Sequence, residues 1–181
     1  EDGVLSEIAL EKAHRVLANP EYQIKDITGA NLEEAAENLR TIYNKAWSLF
    51  TGVKQMTREE AQKLMRTLRP IIDPNLIYFA YHNDKPIGFF VMVPDLNCVI
   101  GKFNGKFGLI EKLRLMYELK VRKSCDRVFG IIFGITPEYQ GKGIESAIMT
   151  YILENYVQTG RSSYKTFEFA WIGDFNPVMN K

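Results

Sequence analysis

The chain has 181 residues, of which 46% are hydrophobic and 25% are charged, with a formal net charge of +1. This composition is typical of a folded domain with a real core, and the net charge gives no reason to expect nucleic-acid binding. The longest apolar run, residues 128–135, is too short to cross a bilayer, and there is no signal-peptide pattern. We therefore expect a cytoplasmic protein. Because the chain does not begin with methionine, we also expect a piece of something longer.

The two cysteines, Cys98 and Cys125, do not have the close spacing of zinc ligands, and only two histidines are present. The sequence therefore predicts no metal site. A domain of this size would not need a disulfide, so the low cysteine count is weak support for a reducing compartment.

The first half of the chain is predicted to contain three helices and one strand. Hydrophobic periodicity predicts, in order, a helix, a strand and two further helices: residues 4–18, 22–28, 32–50 and 57–68. Asn31 can cap the second of these helices. Thr57 and Glu60 have the spacing of a capping box for the third.

The second half is richer in strands. Strands at 76–81 and 87–93 flank a turn that contains Asn83 and Asp84, which is ordinary hairpin chemistry. The apolar run 128–135 predicts a central strand covered on both faces. A glycine-containing turn then leads into a helix at about 141–156, and a buried strand is predicted at 167–172.

The turn after residue 135 is the segment best suited to bind a ligand. A strand that ends in a glycine turn and starts a helix presents unpaired N–H groups and the positive end of the helix dipole, which together bind anions. It is not a Walker loop, because Thr136 stands where the first glycine is needed. It is not a dinucleotide fingerprint, because Ser146 stands where the last glycine is needed.

Gln140 and Gly143, with Pro137 before them, resemble the Q/R-x-x-G-x-G/A signature of the GNAT superfamily of acyl-CoA-dependent N-acyltransferases. The resemblance covers residues 22–181, with residues 1–21 as an N-terminal helical extension. It implies an α/β (α+β) fold of three layers, with a mixed, mostly antiparallel central sheet flanked by helices. It also implies that the domain is C-terminally incomplete at Lys181.

The resemblance further implies an N-acyltransferase that uses acetyl-CoA or another acyl-CoA as cosubstrate and acts on a small amine or an amino-acid-like acceptor. The residues it assigns to the acyl-CoA are Ile135, Thr136, Gln140, Gly141, Lys142, Gly143, Ile144, Glu145 and Asn176. Glu145 departs from the family, which prefers glycine or alanine there. Its carboxylate suits the helix dipole but would lie near a pyrophosphate. Asn176 fits a helix cap before Pro177 equally well.

Acyl transfer to an amine needs a base for the amine proton and an acid for the leaving thiolate. By resemblance, Glu168 is the candidate base, provided that burial raises its pKa. The alternative is a Glu168 that faces solvent or an arginine. The family's usual tyrosine acid would fall after Lys181. We expect Tyr139 and Tyr156 to pack, and His82 to be a solvated loop residue.

An insertion at residues 94–127 is the most individual feature, with eight lysines and arginines against four carboxylates. Its first part, residues 101–108, reads as a loop with two exposed phenylalanines. Its second part is an amphipathic helix, which we expect to pack on the sheet with its basic side in water. The apolar residues of that helix are Leu109, Ile110, Leu113, Met116, Tyr117 and Val121. Functional alternatives are a substrate lid, a site for an anionic partner, or an interfacial membrane element.

Two other functions stay open beside the enzyme. One is a non-catalytic GNAT-like module that binds CoA or another anionic ligand, or forms one part of a larger protein. The other is an anionic-surface binder acting through the basic insertion. The acyl chain, the acceptor and the oligomeric state are not indicated by the sequence.

Overall fold

The part of the chain that the structure describes folds around a five-stranded sheet, in which the strands are neighbours in the same order as in the sequence. The computed structural model describes residues 6–28, 30–47, 52–69, 72–105, 108–160 and 162–169. The strands are β1 (Tyr22–Asp26), β2 (Ile77–His82), β3 (Lys85–Pro94), β4 (Arg127–Ile135) and β5 (Thr166–Phe169). Pairs β1–β2, β2–β3 and β3–β4 are antiparallel, whereas β4–β5 is parallel.

Six helices accompany the sheet within the described residues. They are α1 (Glu7–Leu17), α2 (Leu32–Ala46), α3 (Arg58–Leu68), α4 (Asn97–Ile100), α5 (Leu109–Lys120) and α6 (Ile144–Ile152). The last continues as a π-helical turn over Leu153–Val157. The capping signals in the sequence are confirmed: Asn31 caps α2, and Thr57 forms a capping box with Glu60 at the start of α3.

The hairpin between β2 and β3 is also confirmed. Asn83 and Asp84 both have positive φ, at 48° and 61°. Asparagine and aspartate tolerate this left-handed conformation better than other non-glycine residues, and it suits the twist of a two-residue hairpin.

The sheet has a helical layer on each face. Alternate residues of β2 belong to different cores, because successive side chains of a strand point to opposite faces of the sheet. Tyr78 and Ala80 join the core under α1 and α6, whereas Ile77 and Phe79 join the core under α2 and α3.

Strand β4 lies inside the sheet as predicted, but it is not covered on both faces throughout. Val128 and Ile135 are buried, whereas Ile131 is 45% exposed. The register explains the difference: Val91 pairs with Ile132 and Met92 with Gly130, so Ile131 is the extra residue of a β-bulge. Such a residue leaves the regular alternation of the ladder.

The insertion differs most from expectation. Helix α5 was predicted to pack its apolar side on the sheet, and this is wrong, because that side faces solvent. The buried residues of α5 are Leu115 and Glu118 instead. Arg122 and Ser124 donate hydrogen bonds to the two carboxylate oxygens of Glu118, and these bonds fix the rotation of the helix.

The insertion has a small core of its own, formed by Val99, Phe103, Leu115 and Cys125. Phe103 was predicted to be exposed, but it is 5% exposed because it fills this core; Phe107 lies outside the described residues. A disulfide joins Cys98 to Cys125 and closes the segment. Since disulfides are typical of oxidising compartments, the cytoplasmic location stays a prediction.

Among the helices formed by the described residues, none combines the length and the apolar composition that crossing a membrane requires.

Candidate functional site

The turn between β4 and α6 reverses the chain at one end of the sheet. Pro137–Tyr139 forms a single 3-10 turn after the strand. Gly141 and Gly143 follow with φ of +71° and +84°, a left-handed conformation that only glycine adopts without strain. Helix α6 begins at Ile144. The two glycines are therefore required by the path of the chain itself.

Hydrogen bonds tie this turn to the sheet. The Gln140 side chain donates from Nε2 to the carbonyl oxygen of Ile135 at 3.0 Å. The amide of Thr136 donates to the carbonyl of Ile87, and the Thr136 carbonyl accepts from the amide of Tyr139, both at 2.9 Å. Gln140 and Thr136 thus hold the turn in place rather than pointing free groups outward.

Several amides of the turn have no acceptor within the described part of the chain, namely those of Gly141, Gly143 and Ile144. A helix N-terminus leaves such groups for an anion or for water. Space differs between the glycines. A Cβ atom on Gly141 would meet nothing within 4 Å, whereas one on Gly143 would lie 2.9 Å from Cβ of Lys12 in α1.

The contact between Gly143 and Lys12 was missed by the sequence reasoning. The two residues are far apart in the chain, and nothing in either segment signals that they meet. Gly141 therefore lies on the side of the turn that is open to a ligand, and Gly143 lies on the side that α1 covers.

Tyr139 reaches across the end of the sheet towards β1 and β2. Its hydroxyl is hydrogen-bonded to Nδ1 of His82 at 2.9 Å, and its ring lies edge-on to Tyr22. Lys142 places Nζ 5.0 Å from the centroid of the Tyr139 ring. The expectation that His82 is a solvated loop residue is wrong: it ends β2, its ring lies 4.5 Å from that of Tyr22, and its side chain is only 23% exposed.

The described pairing of β4 with β5 lies along the first part of β4. The described pairs run from Arg127↔Thr166 to Gly130↔Phe169, while β4 itself continues to Ile135. Since the amide of Thr136 points to β3, the alternation of backbone groups in an antiparallel pair turns those of Ile135 to the opposite side. The end of β4 thus presents backbone groups on the side where β5 lies.

Both glutamates singled out in the sequence are partly exposed. Glu145 is the second residue of α6 and lies beside the turn. Glu168 lies opposite Phe129, at the other end of β4 from the turn, and pairs with Arg127 at 2.9 Å. At 42% exposure its side chain is not desolvated, which was the condition for its proposed role as a base. Asn176 lies outside the described residues.

A cavity of about 540 Å³ lies away from the turn, where β2 begins and β3 ends. Its wall includes Asp73, Asn75, Pro94 and Tyr164. The Tyr164 hydroxyl donates to Asp73, and burial followed by the Asp73 charge raises the pKa of this phenol. The cavity is separate from the turn. Among the described residues, no group of three His, Cys, Asp or Glu side chains is arranged to hold a metal.

Comparison of the sequence with known proteins finds two curated relatives. The chain is 23% identical over 180 residues to a bacterial ceramide synthase of Caulobacter vibrioides, covering 99% of the chain and 46% of the relative. It is 27% identical over 159 residues to protein YghO of Escherichia coli, covering 87% and 40%. The chain thus spans less than half the length of the curated relatives it matches. No family model matches the chain.

Comparison of the fold finds acetyltransferases. An aminoglycoside acetyltransferase from a soil metagenomic sample superposes with a TM-score of 0.55 at 11% identity, over 90% of the chain and 84% of that structure. An aminoglycoside N-acetyltransferase in complex with CoA gives 0.52 at 11% identity, over 88% and 82%. A ribosomal-protein-alanine N-acetyltransferase of Brucella melitensis gives 0.50 at 11% identity, over 84% and 82%. The mixed sheet flanked by helices that the resemblance implied is confirmed.

Proposed function

From the GNAT fold of this chain we propose that it is an acyl-CoA-dependent N-acyltransferase domain. The observation that carries the proposal is the turn at residues 136–143, where a sheet strand passes through two left-handed glycines into a helix whose first amides lack acceptors in the described chain. Such a helix start binds the phosphates of a nucleotide-like cosubstrate through backbone groups and the helix dipole.

In this proposal each residue of the turn has its own role in binding CoA. The amides of Gly141, Gly143 and Ile144 donate to the diphosphate, and Lys142 adds a positive charge. Gln140 and Thr136 position the turn through the hydrogen bonds described above. The amide of Ile135, which faces away from β3, is the group available to the pantetheine arm.

Bound acyl-CoA supplies a thioester, whose acyl carbon gives up its bond to sulfur and forms one to the acceptor nitrogen. The amine proton must leave and the thiolate must gain one, so a proton carrier between them speeds the reaction. Glu168 is the candidate for that carrier implied by the family resemblance, and its exposure argues for a small contribution.

Two classes of amine are candidates for the acceptor. The first is the small or amino-acid-like amine that the family resemblance implies. The second is a long-chain amine, because the Caulobacter relative is named a ceramide synthase, and a ceramide is an N-acylated long-chain amino alcohol. Turnover measured with both classes, each with acetyl-CoA and with a long-chain acyl-CoA, decides between them.

The binding step is tested by a leucine at Gly141. Isothermal titration calorimetry with acetyl-CoA and palmitoyl-CoA should detect binding by the wild type and its loss in Gly141→Leu, because the side chain fills the open approach to the amides. A ligand at ~100 times its Kd adds about 2.7 kcal/mol of stability, so thermal unfolding should show the same difference.

The matched control is Gly160→Leu. Gly160 has a similar φ of +72° and an equally open surrounding, so it carries the same backbone strain without touching the turn. Loss of binding in both variants would mean that strain, not the turn, is responsible. Binding of CoA with no turnover of any amine would favour the non-catalytic module.

A further inference from the structure

The outer face of helix α5 is apolar and open to solvent. We use this name for Leu109, Ile110, Leu113, Met116, Tyr117 and Val121. Apart from Met116 at 36%, these side chains are between 54% and 77% exposed. Single exposed apolar residues are ordinary on a protein surface, but a contiguous set along one helix marks an interaction surface.

The helix cannot easily rotate to hide this face. Leu115 lies in the small core with Val99 and Phe103, and the disulfide between Cys98 and Cys125 closes the segment. On the same inner side, Glu118 is buried and bonded to its two partners. Turning α5 over would break those hydrogen bonds and remove Leu115 from the small core.

Charge on the helix is divided between its two sides. With ~100° of rotation per residue, Lys112 and Arg114 flank the outer face, and Lys120 lies at its C-terminal end. The two carboxylates, Glu111 and Glu118, lie on the inner side. There Glu111 accepts from the amide of Gly108, so the acidic groups are engaged away from the apolar face. Residues 94–127 as a whole carry a net charge of +4.

This distribution of charge favours one kind of binding partner for the outer face over another. A symmetric dimer through this face would bring the flanking cations of one copy close to those of the second copy, which is unfavourable. Lysine is also depleted from the cores of protein interfaces. An anionic bilayer satisfies both features, because its headgroups attract the flanking cations while its interior accepts the apolar side chains.

We propose that the outer face of α5 docks this protein on membranes that contain anionic lipids, with the helix lying in the plane of the interface. The apolar side chains enter the boundary between headgroups and acyl chains, and the flanking cations stay at the level of the phosphates. Docking of this kind is independent of acyl transfer, although it would bring the domain to a membrane-bound acceptor if the proposed function holds.

Flotation of the chain with vesicles tests the proposal. Vesicles of phosphatidylcholine with about 30% phosphatidylglycerol should bind the protein, whereas pure phosphatidylcholine should bind it at least ~10-fold more weakly, and high salt should weaken the binding to anionic vesicles. Ile110→Ser with Leu113→Ser should reduce partitioning at least ~10-fold. Arg114→Gln with Lys120→Gln should reduce it about 25-fold, at roughly five-fold per cation.

Matched control pairs sit on α1 and α3. Ile8→Ser with Leu64→Ser removes two exposed apolar side chains elsewhere, and Lys63→Gln with Arg66→Gln removes two exposed cations. Neither control should change partitioning, and circular dichroism should show every variant folded. Failure to bind anionic vesicles, or binding that the outer-face variants leave unchanged, would overturn the proposal. A dimer seen in sedimentation velocity and broken by those variants, without vesicle binding, would assign the face to a second copy.

Discussion

Glu145 is the residue at which this chain departs from the family signature, and its position beside the turn makes its effect testable. Two like charges ~5 Å apart repel by about 3 kcal/mol at an effective dielectric constant of ~20. The carboxylate contributes only ~0.3–1 kcal/mol to the first turn of the helix. Glu145→Ala should therefore tighten CoA binding in calorimetry, most clearly at low salt, and leave the fold unchanged.

The control for this prediction is Glu33→Ala, which removes an acidic residue from the first turn of α2. It should change helix stability by a similar amount and leave CoA affinity alone. Unchanged or weaker binding in Glu145→Ala would mean that the carboxylate points away from the ligand, or that the phosphates bind elsewhere.

Glu168 is expected to contribute little to catalysis. It forms an ion pair with Arg127 and its side chain is 42% exposed, so it lacks the burial that its role as a base requires. Glu168→Gln should lower kcat less than ~10-fold, and Arg127→Gln should have a similar effect. A loss of ~10²–10⁴-fold confined to Glu168→Gln would restore it as the general base.

At this scale the sequence predicted residue types better than contacts. The glycines of the turn were identified from the family signature, and the left-handed conformation that the structure shows for them is one that favours glycine. The bond from Gln140 to Ile135 and the pairing of His82 with Tyr139 were not, because each depends on where the chain returns after a turn. His82 was expected to be solvated because the sequence placed it in the hairpin turn, whereas it is the last residue of β2.

Among the elements, α5 is held by a carboxylate whose titration can be followed. The hydrogen bond from Ser124, with the bond and charge of Arg122, holds the pKa of Glu118 below its ordinary value of 4.5. A group with a lowered pKa in the folded state stabilises it above its unfolded pKa, and the contribution is lost as pH falls towards the folded pKa. Acid should therefore loosen α5 before the sheet.

Hydrogen exchange measures this directly. Protection of the amides in Leu109–Lys120 should fall between about pH 6 and about pH 3.5, after correction for intrinsic rates, more than that in β2 or β3. In Glu118→Gln the protection should be lower at neutral pH and should lose most of its pH dependence. Equal pH responses of α5 and the sheet in the wild type would show that Glu118 does not anchor the helix.

Element types followed from the sequence, whereas the orientation of α5 did not. Periodicity identifies an apolar side on a helix, and the usual rule sends that side to the core. Here the opposite side of α5 is buried instead. Leu115 lies in the small core that the disulfide closes, and Glu118 is buried beside it. Neither signal is visible in a window of one helix, because the partners of Glu118 lie beyond its end.

For the molecule as a whole, α1 belongs to the fold rather than to an appendage. Ala13 is completely buried, Val16 and Leu17 pack against the core shared with α6, and Lys12 closes over Gly143. The sequence separated residues 1–21 because the resemblance begins at residue 22. Packing between segments so far apart leaves no trace in local periodicity.

Removal of residues 1–20 should therefore destabilise the domain rather than trim it. Full burial of one Val or Leu side chain contributes ~1.5–3 kcal/mol, and Val16 and Leu17 are partly buried, so the free energy of unfolding should fall by about 3 kcal/mol. Urea denaturation followed by circular dichroism measures this, and the slope m should decrease because less surface is buried. Ala13→Asp in the whole chain should produce a loss of comparable size by placing a charge against α6, whereas Ile8→Ser, on the exposed side of α1, should change stability by less than ~0.5 kcal/mol. An unfolding midpoint unaffected by the truncation would make α1 an independent extension, and the left-handed Gly143 would then be explained by the turn alone.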